Sequence, residues 1–392
     1  MRKAVLLLSL MVAAVLSWTS GVVLAQESGP LAPERVPAQG VIPGQYIVVL
    51  EEEARDPTAV AREHARRHGA QVLDTYQHAL EGYVALIPDH QLDEMRAEER
   101  VDYIEPDGTV TIAAQRLPWG IDWIDADVST TGAGDGSGAV TGVNAYIIDT
   151  GIDKRHADLN VVNHVNFTEG KNTDCNGHGT HIAGTVAAKD NNRGVVGAAP
   201  GAPLTGVKVL GCRGKGTVSD VIEGIDWVTA NADRPAVANM SLVGGASVAL
   251  DHAVVRSEAS GILYAVASGN DDADTCNYSP ARAGAGTNNG IVTTAATNKS
   301  DAEPSWSNHG RCVDLWAPGT RILSTKKGGG KATKSGTSMA SAHVGGGAAL
   351  YLSSNPGASP TAIEAALKTD ATNTGTASEG GAAIMRLDVS GY

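Results

Sequence analysis

Three short stretches carry the side chains with the most chemical potential: "YIIDTGID" (146–153), "NGHGTHIAGT" (176–185) and "SGTSMASAHV" (335–344). In the first, Asp149 ends an apolar run, which holds a carboxylate at the edge of a core. In the second, His178 and His181 stand three residues apart among small residues, a spacing open to a metal site, a proton-transfer site or a tight turn. In the third, Ser338 starts a helical stretch, where its hydroxyl meets the positive end of the helix dipole. Each has a plainer reading: Asp149 as a turn residue, Ser338 as an N-cap. Together they fit one reaction. A serine hydroxyl needs a base near neutral pKa, which is imidazole. The imidazole in turn needs a buried carboxylate to fix its tautomer and stabilise its positive form.

Competing chemistries fail on missing parts. Asp-Thr-Gly at 149–151 suits an aspartic protease, but that mechanism needs two carboxylates sharing a proton, and no second Asp-Thr-Gly or Asp-Ser-Gly occurs. Ser338 is not a GxSxG elbow, because Ala340 stands where glycine is required. The glycine run at 132–138 precedes a strand, and "GGGKAT" has Ala332 after its lysine, so neither cradles phosphate. Asn270, in "AVASGN", offers a fixed amide donor of the kind that stabilises an oxyanion; beside Gly269 it is equally a good turn former.

The elements that must position these groups alternate. "VNAYIIDTG", "APLTGVKVL", "AVANMSL" and "GILYAVASGN" read as strands. "HGTHIAGTVAAK", "TVSDVIEGIDWVTANA", "LDHAVVRSEAS" and "SGTSMASAHVGGGAALYLSS" read as helices. Such alternation predicts an α/β fold, a mainly parallel sheet covered by helices on both faces, with chemistry at the carboxyl ends of strands. Asp149 and Asn270 fall at such ends. A different composition precedes it: "QYIVVL", a helix from Asp56-Pro57 to Gly69, "GYVALIP", helical "DHQLDEMRAEER", and extended "VDYIEP" and "GTVTIA". This predicts a small α+β, ferredoxin-like unit over 44–112, behind a proline-rich leader at 26–43.

Residues 1–25 have a charged start, a short apolar centre and a small-residue end at Ala25, which predicts a cleaved signal peptide and an exported chain with no later membrane attachment. Of the net charge of −13, residues 26–113 contribute −10, from 17 acidic and 7 basic side chains. No basic stripe points to nucleic acid. Cys175, Cys212, Cys276 and Cys312 form an even set without a CxxC pair, which in an exported chain favours disulfides over zinc. Three pairings remain open on these grounds.

The order Asp, His, Ser is that of subtilisin, and with "PAVANMSL", "ASGNDDADTCNYSPA" and "DLWAPG" the chain resembles the subtilases, within them the group of proteinase K and aqualysin, from about Trp119 to about residue 372. The resemblance implies a secreted, monomeric serine endopeptidase made as a self-cleaving zymogen, with a peptidase domain over 113–392 and a propeptide over 26–112. It implies Asp149, His178 and Ser338 as the triad, Asn270 as the oxyanion donor, and His181 as a supporting helix residue rather than a zinc ligand. Gly214, Lys215 and Gly216, with Ser241 and Leu242, would form two edge strands sandwiching an extended polypeptide substrate of broad, apolar or aromatic P1 preference. The propeptide would act as chaperone and inhibitor, be cut between Ile112 and Arg116, and leave "GTVTI" in the cleft; both parts being acidic, sheet pairing and apolar burial rather than charge would dock it. The cysteine positions imply Cys175–Cys212 and Cys276–Cys312, each loop worth about 3–4 kcal/mol in the loop-entropy model. Structural Ca²⁺ is implied at Asp314 with carbonyls near Asn289 and Ile291, and at Asp122 and Asp125. Val243, Ala342 and the glycines at 345–347 depart from the family pattern without removing a catalytic group. A catalytically silent binding protein on the same fold is the alternative, and a damaged triad would mark it.

Overall fold

The computed structural model describes residues 41–51, 56–78, 80–108 and 115–392. The expected signal peptide, most of the leader and the stretch 109–114, which holds part of the expected cleavage region, lie outside them. The chain divides into two compact units, Met1–Ile112 and Ala113–Tyr392.

The first unit runs β1 (Val41–Leu50), α1 (Pro57–His68), β2 (Gln71–Gln77), β3 (Glu81–Leu86), α2 (Leu92–Arg96) and β4 (Val101–Gly108). Its antiparallel sheet has the order β2-β3-β1-β4, the βαββαβ arrangement of a ferredoxin-like fold. Helix α1 begins where expected, because Asp56 accepts from the Ala59 N–H and Pro57 presets the first turn. It ends at Gly69, in the left-handed region at φ 65°. Two features differ from the sequence reading. Strand β2, "QVLDTYQ", was not expected; no strict alternation of buried and exposed residues runs along it. The helix in "DHQLDEMRAEER" is shorter, α2 covering five residues after a 3₁₀ turn.

The second unit opens with α3 (Trp119–Trp123), β5 (Asn144–Asp149), β6 (Val161–Asn166), α4 (His178–Ala187), β7 (Leu204–Lys208) and α5 (Val218–Asn231). It continues with β8 (Ala236–Met240), β9 (Gly244–Gly245), α6 (Val248–Glu258), β10 (Ile262–Ala267), β11 (Tyr278–Ser279), β12 (Ile291–Thr297) and β13 (Leu315–Pro318). The hairpin β14 (Ile322–Thr325) and β15 (Lys331–Lys334) leads into α7 (Thr337–Ser354), α8 (Pro360–Asp370), β16 (Thr372–Ala377) and β17 (Ala383–Arg386).

The main sheet has the order β16-β17-β13-β12-β10-β8-β5-β7-β6, parallel throughout except where β16 meets β17. Period-two alternation divides each strand between two cores. Along β5, Ala145 and Ile147 face the layer of α4 and α7, while Tyr146 and Ile148 face that of α5 and α6. Strand order reverses around β5, whose neighbours β7 and β8 continue to opposite sides, and the crevice above such a reversal is where a parallel sheet binds ligands.

Helix α7 is small or apolar on nearly every side, as a helix buried all round must be. Of its glycines at 345–347, the second and third are explained by close packing. A Cβ on Gly346 would lie 2.6 Å from the Ala198 Cβ, and one on Gly347 2.9 Å from Val389 Cγ1. Ala342 sits fully buried within this unbroken helix.

Candidate active site

Asp149 is the last residue of β5 and is fully buried. The Thr150 N–H donates to its Oδ1 at 2.7 Å. His178 opens α4, and its Nδ1 lies 2.8 and 2.9 Å from the two Asp149 carboxylate oxygens. With Nδ1–H donating to a carboxylate, neutral imidazole carries its lone pair on Nε2, the nitrogen on the far side of the ring. Burial alone would lower the His178 pKa, but the charge and hydrogen bond of Asp149 outweigh it, and the net shift is upward.

Ser338 is the second residue of α7, so its backbone N–H has no intrahelical acceptor. Its hydroxyl donates to the Ser241 carbonyl at 3.3 Å, not to His178. Both side chains line one cleft of about 450 Å³. Loose catalytic hydrogen bonds are common before substrate binds. Asn270, three residues beyond β10, lines the same cleft. Its Oδ1 accepts from the Thr337 N–H at 2.8 Å. That bond fixes the amide orientation, because only oxygen can accept there, and leaves the Nδ2 donor for a ligand.

A match to the Subtilase family covers residues 141–383, and one to the Peptidase inhibitor I9 family covers 45–113. The chain belongs to the subtilase family. It is a subtilisin-like serine endopeptidase with an inhibitor-type unit ahead of the peptidase. It is 40% identical over 399 residues to an extracellular serine proteinase of Thermus sp. (strain Rt41A), covering 92% of each. It is 44% identical over 315 residues to alkaline serine exoprotease A of Vibrio alginolyticus, spanning 76% of this chain but only 56% of that relative's length. The crystal structure of a cold-adapted subtilisin-like serine proteinase matches with a TM-score of 0.62 and 42% identity, covering 70% of this chain and 98% of the other.

Three residues behind the subtilase site were not singled out by sequence reasoning. Asp174, buried, accepts from Thr150 Oγ1 (3.0 Å), from the N–H groups of Asn176 and Gly177 (2.9 and 2.8 Å), and from the Thr180 N–H (3.0 Å). It thereby satisfies donors around the start of α4 and sets the position of His178. Thr150 Oγ1 closes the loop by accepting from the Gly179 N–H at 3.0 Å. Lys208, almost wholly buried, donates to the carbonyls of Thr150 (2.8 Å) and Leu210 (2.6 Å). Burial lowers its pKa, with Asp174 and Asp149 pulling the other way. An Asp four residues ahead of the histidine was the available signal; a lysine inside an apolar strand was another.

His181 points away from this chemistry. Its Nε2 donates to the carbonyls of Ile322 and Ala332, both at 3.1 Å, and burial pushes its pKa down to about 4. It is a neutral packing residue tying α4 to the β14–β15 hairpin.

Gly214, Lys215 and Gly216 border the cleft on one side, Ser241 and Leu242 on the other. Neither segment is a strand here: 214–216 includes the end of a turn in which the Gly211 N–H donates to the Lys215 carbonyl, and 241–243 has no regular secondary structure. Leu210, Leu242 and Val243 supply apolar wall and pack on the α5–α6 core.

The cysteines pair as Cys175–Cys212 and Cys276–Cys312, with Cα–Cα distances of 4.9 and 5.4 Å. The first bond flanks the site: Asn176 Nδ2 donates to the Cys212 carbonyl, and Asn176 Oδ1 accepts from the His178 N–H.

Calcium requires several oxygen ligands, and the two expected loci differ. At Asp125, which has φ 60°, burial pushes the carboxyl pKa up, as do the nearby charges of Asp388, Asp127 and Asp122, against Arg386. These acids feel one another's charge, but among the described residues they do not meet as a group of three possible ligands. Asp314 is already paired. Its Oδ2 accepts from the Thr293 N–H at 2.9 Å and its Oδ1 from Lys368 Nζ at 2.6 Å, so a side-chain cation already stands where the resemblance puts the metal. The Asn289 side chain is likewise engaged locally, donating to the Ala283 carbonyl and accepting from the Ile291 N–H. Among the described residues, the one grouping of three possible ligands is Asp272, His309 and Glu379, largely exposed.

Proposed function

We propose that Asp149, His178, Ser338 and Asn270 hydrolyse extended polypeptides through an acyl-enzyme. One observation carries this reading: His178 Nδ1 is held on buried Asp149, which frees Nε2 for the serine in a cleft lined also by Asn270. Nε2 takes the Ser338 proton as Oγ attacks the scissile carbonyl carbon. The oxyanion so formed lies between Asn270 Nδ2 and the Ser338 N–H, donors already oriented before reaction. The imidazolium then protonates the leaving amine, and water repeats the sequence to release the acid.

The backbones of 214–216 and 241–242, which belong to no sheet ladder, receive substrate as an added strand, which reads main chain rather than sequence. The apolar wall of Leu210, Leu242 and Val243 supports an apolar or aromatic P1 preference. Residues 1–25 direct export, and residues 26–112 assist folding and inhibit the enzyme until cleavage between Ile112 and Arg116. One relative, by name an extracellular serine proteinase, is in keeping with secretion. Asp122 and Asp125 hold a structural Ca²⁺, which contributes stability rather than chemistry.

A serine-directed acylating reagent followed by peptide mapping tests the assignment. The adduct is expected on Ser338 alone, with loss of peptide hydrolysis. Ser338→Ala should abolish both hydrolysis and self-cleavage near residue 113; a Ser338→Ala chain that matures unaided overturns the reading.

A further inference from the structure

We infer that the Lys368 ammonium is the built-in replacement for the calcium ion that the subtilase resemblance places at Asp314, so that this locus is stabilised by the chain's own cation.

Asp314 immediately precedes β13, and its side chain is 6% exposed. Both oxygens are engaged by donors, the Thr293 N–H and Lys368 Nζ. The side facing the carbonyl of Ile291 is bordered by Gly284, where a methyl would lie 2.7 Å from the Ile291 oxygen and 3.0 Å from Asp314 Oδ2. Lys368 Nζ occupies the approach to Oδ1.

Lys368 is itself held from a second side. Glu364, one helical turn earlier on α8 and fully buried, accepts from Nζ at 2.5 Å and from the Gly290 N–H at 2.6 Å. The i,i+4 spacing puts both side chains on one helix face. A single ammonium thus joins the carboxylate before β13 to the helix that also clamps the start of β12 through Gly290. A bound calcium would join the same strand ends through oxygen ligands. The two cations are mutually exclusive: an ion on Asp314 Oδ1 would face the ammonium at a few ångströms in a poorly screened site, where like charges repel strongly. Leaving two buried carboxylates without their cation is costly, which is what makes the replacement testable.

The test uses the full chain with Ser338→Ala to prevent autolysis, and reads thermal midpoints in EDTA and in millimolar CaCl₂. Lys368→Gln should lower the midpoint in EDTA by on the order of 5–10 °C. Calcium should restore part of that loss, beyond any rise it causes in the Lys368 chain, and adding Asp314→Asn should abolish the extra rise. With Lys368 in place, Asp314→Asn should cost the same in both media. A Lys368→Gln chain with an unchanged midpoint, or one that calcium does not rescue, overturns the equivalence. If Lys368→Gln fails to fold, Asp314→Asn alone decides: an equal loss in both media supports the inference, and a loss confined to calcium overturns it.

Discussion

Asp149 and Asp314 are buried carboxylates on one parallel sheet, at opposite ends of its strands. Asp149 ends β5 at the carboxyl edge, while Asp314 stands just before β13 at the amino edge. Each is given a cationic or cationisable partner, at 2.8 Å from His178 and 2.6 Å from Lys368. The partners differ in what they can do. An imidazole can gain and lose a proton near neutrality, and it is 24% exposed in a cleft that admits substrate. An ammonium locked between two buried acids stays charged; burial works against it, but Asp314 and Glu364 raise its pKa on balance. Burial pushes the Asp314 carboxyl pKa up even with Lys368 pulling down. The same device, a buried acid with one partner, offers proton transfer at the open edge and a fixed ion pair at the closed one.

Substitution at the two acids should separate these roles most sharply. Asp149→Asn should lower kcat by about 10⁴-fold, the magnitude known for such changes in serine proteases including subtilisin. Asp314→Asn should leave kcat within about twofold below the melting transition while lowering the midpoint. A kcat loss for Asp314→Asn comparable to that of Asp149→Asn, at a temperature where the variant is folded, would dissolve the contrast.

Asn270→Ala should cost about 10²–10³-fold in kcat with little change in KM, again a magnitude from this family. Steady-state kinetics check it; a loss carried by KM would place Asn270 in ground-state binding.

A smaller effect concerns the helix that presents Ser338. Gly346→Ala gains about 1 kcal/mol in helix propensity but overpacks against Ala198 and the Val186 carbonyl, typically at about 1–3 kcal/mol. Net destabilisation near 1 kcal/mol is expected, about 2–4 °C in midpoint. Gly345→Ala, whose Cβ would meet nothing closer than 3.3 Å, should be neutral or mildly stabilising.

The smallest shift is in pH dependence. The base must be neutral, and Asp149 raises the His178 pKa, so kcat/KM should rise with pH through a midpoint above 6.5. Asp149→Asn should move the residual midpoint downward. The same raised pKa stabilises the fold fully below pH 6.5, and that contribution fades as pH climbs through the folded value. A midpoint unchanged by Asp149→Asn would remove Asp149 as the cause.

Much of the fold was legible locally. Strands β5, β7, β8 and β10 and helices α4 to α7 follow from apolar runs, caps and small-residue patterns that neighbouring residues define. Strand β2 was not, because its residues do not alternate strictly between buried and exposed. Lys208 and Asp174 were passed over because a lone charge in an apolar strand, or one more loop aspartate, means nothing until its acceptors or donors are placed around it. The Asp314 locus shows the limit most clearly. Its partner lies 54 residues later in the chain, and no local pattern links the two.

Alone, the order of residues determined which reactive groups exist and where strands and helices begin, since those properties depend on side-chain type and near neighbours. Tertiary structure decided which ring nitrogen faces the acid, which histidine is silent, and which cation sits on Asp314. Those outcomes depend on burial and on distances between residues far apart in sequence, and only the packed chain sets either.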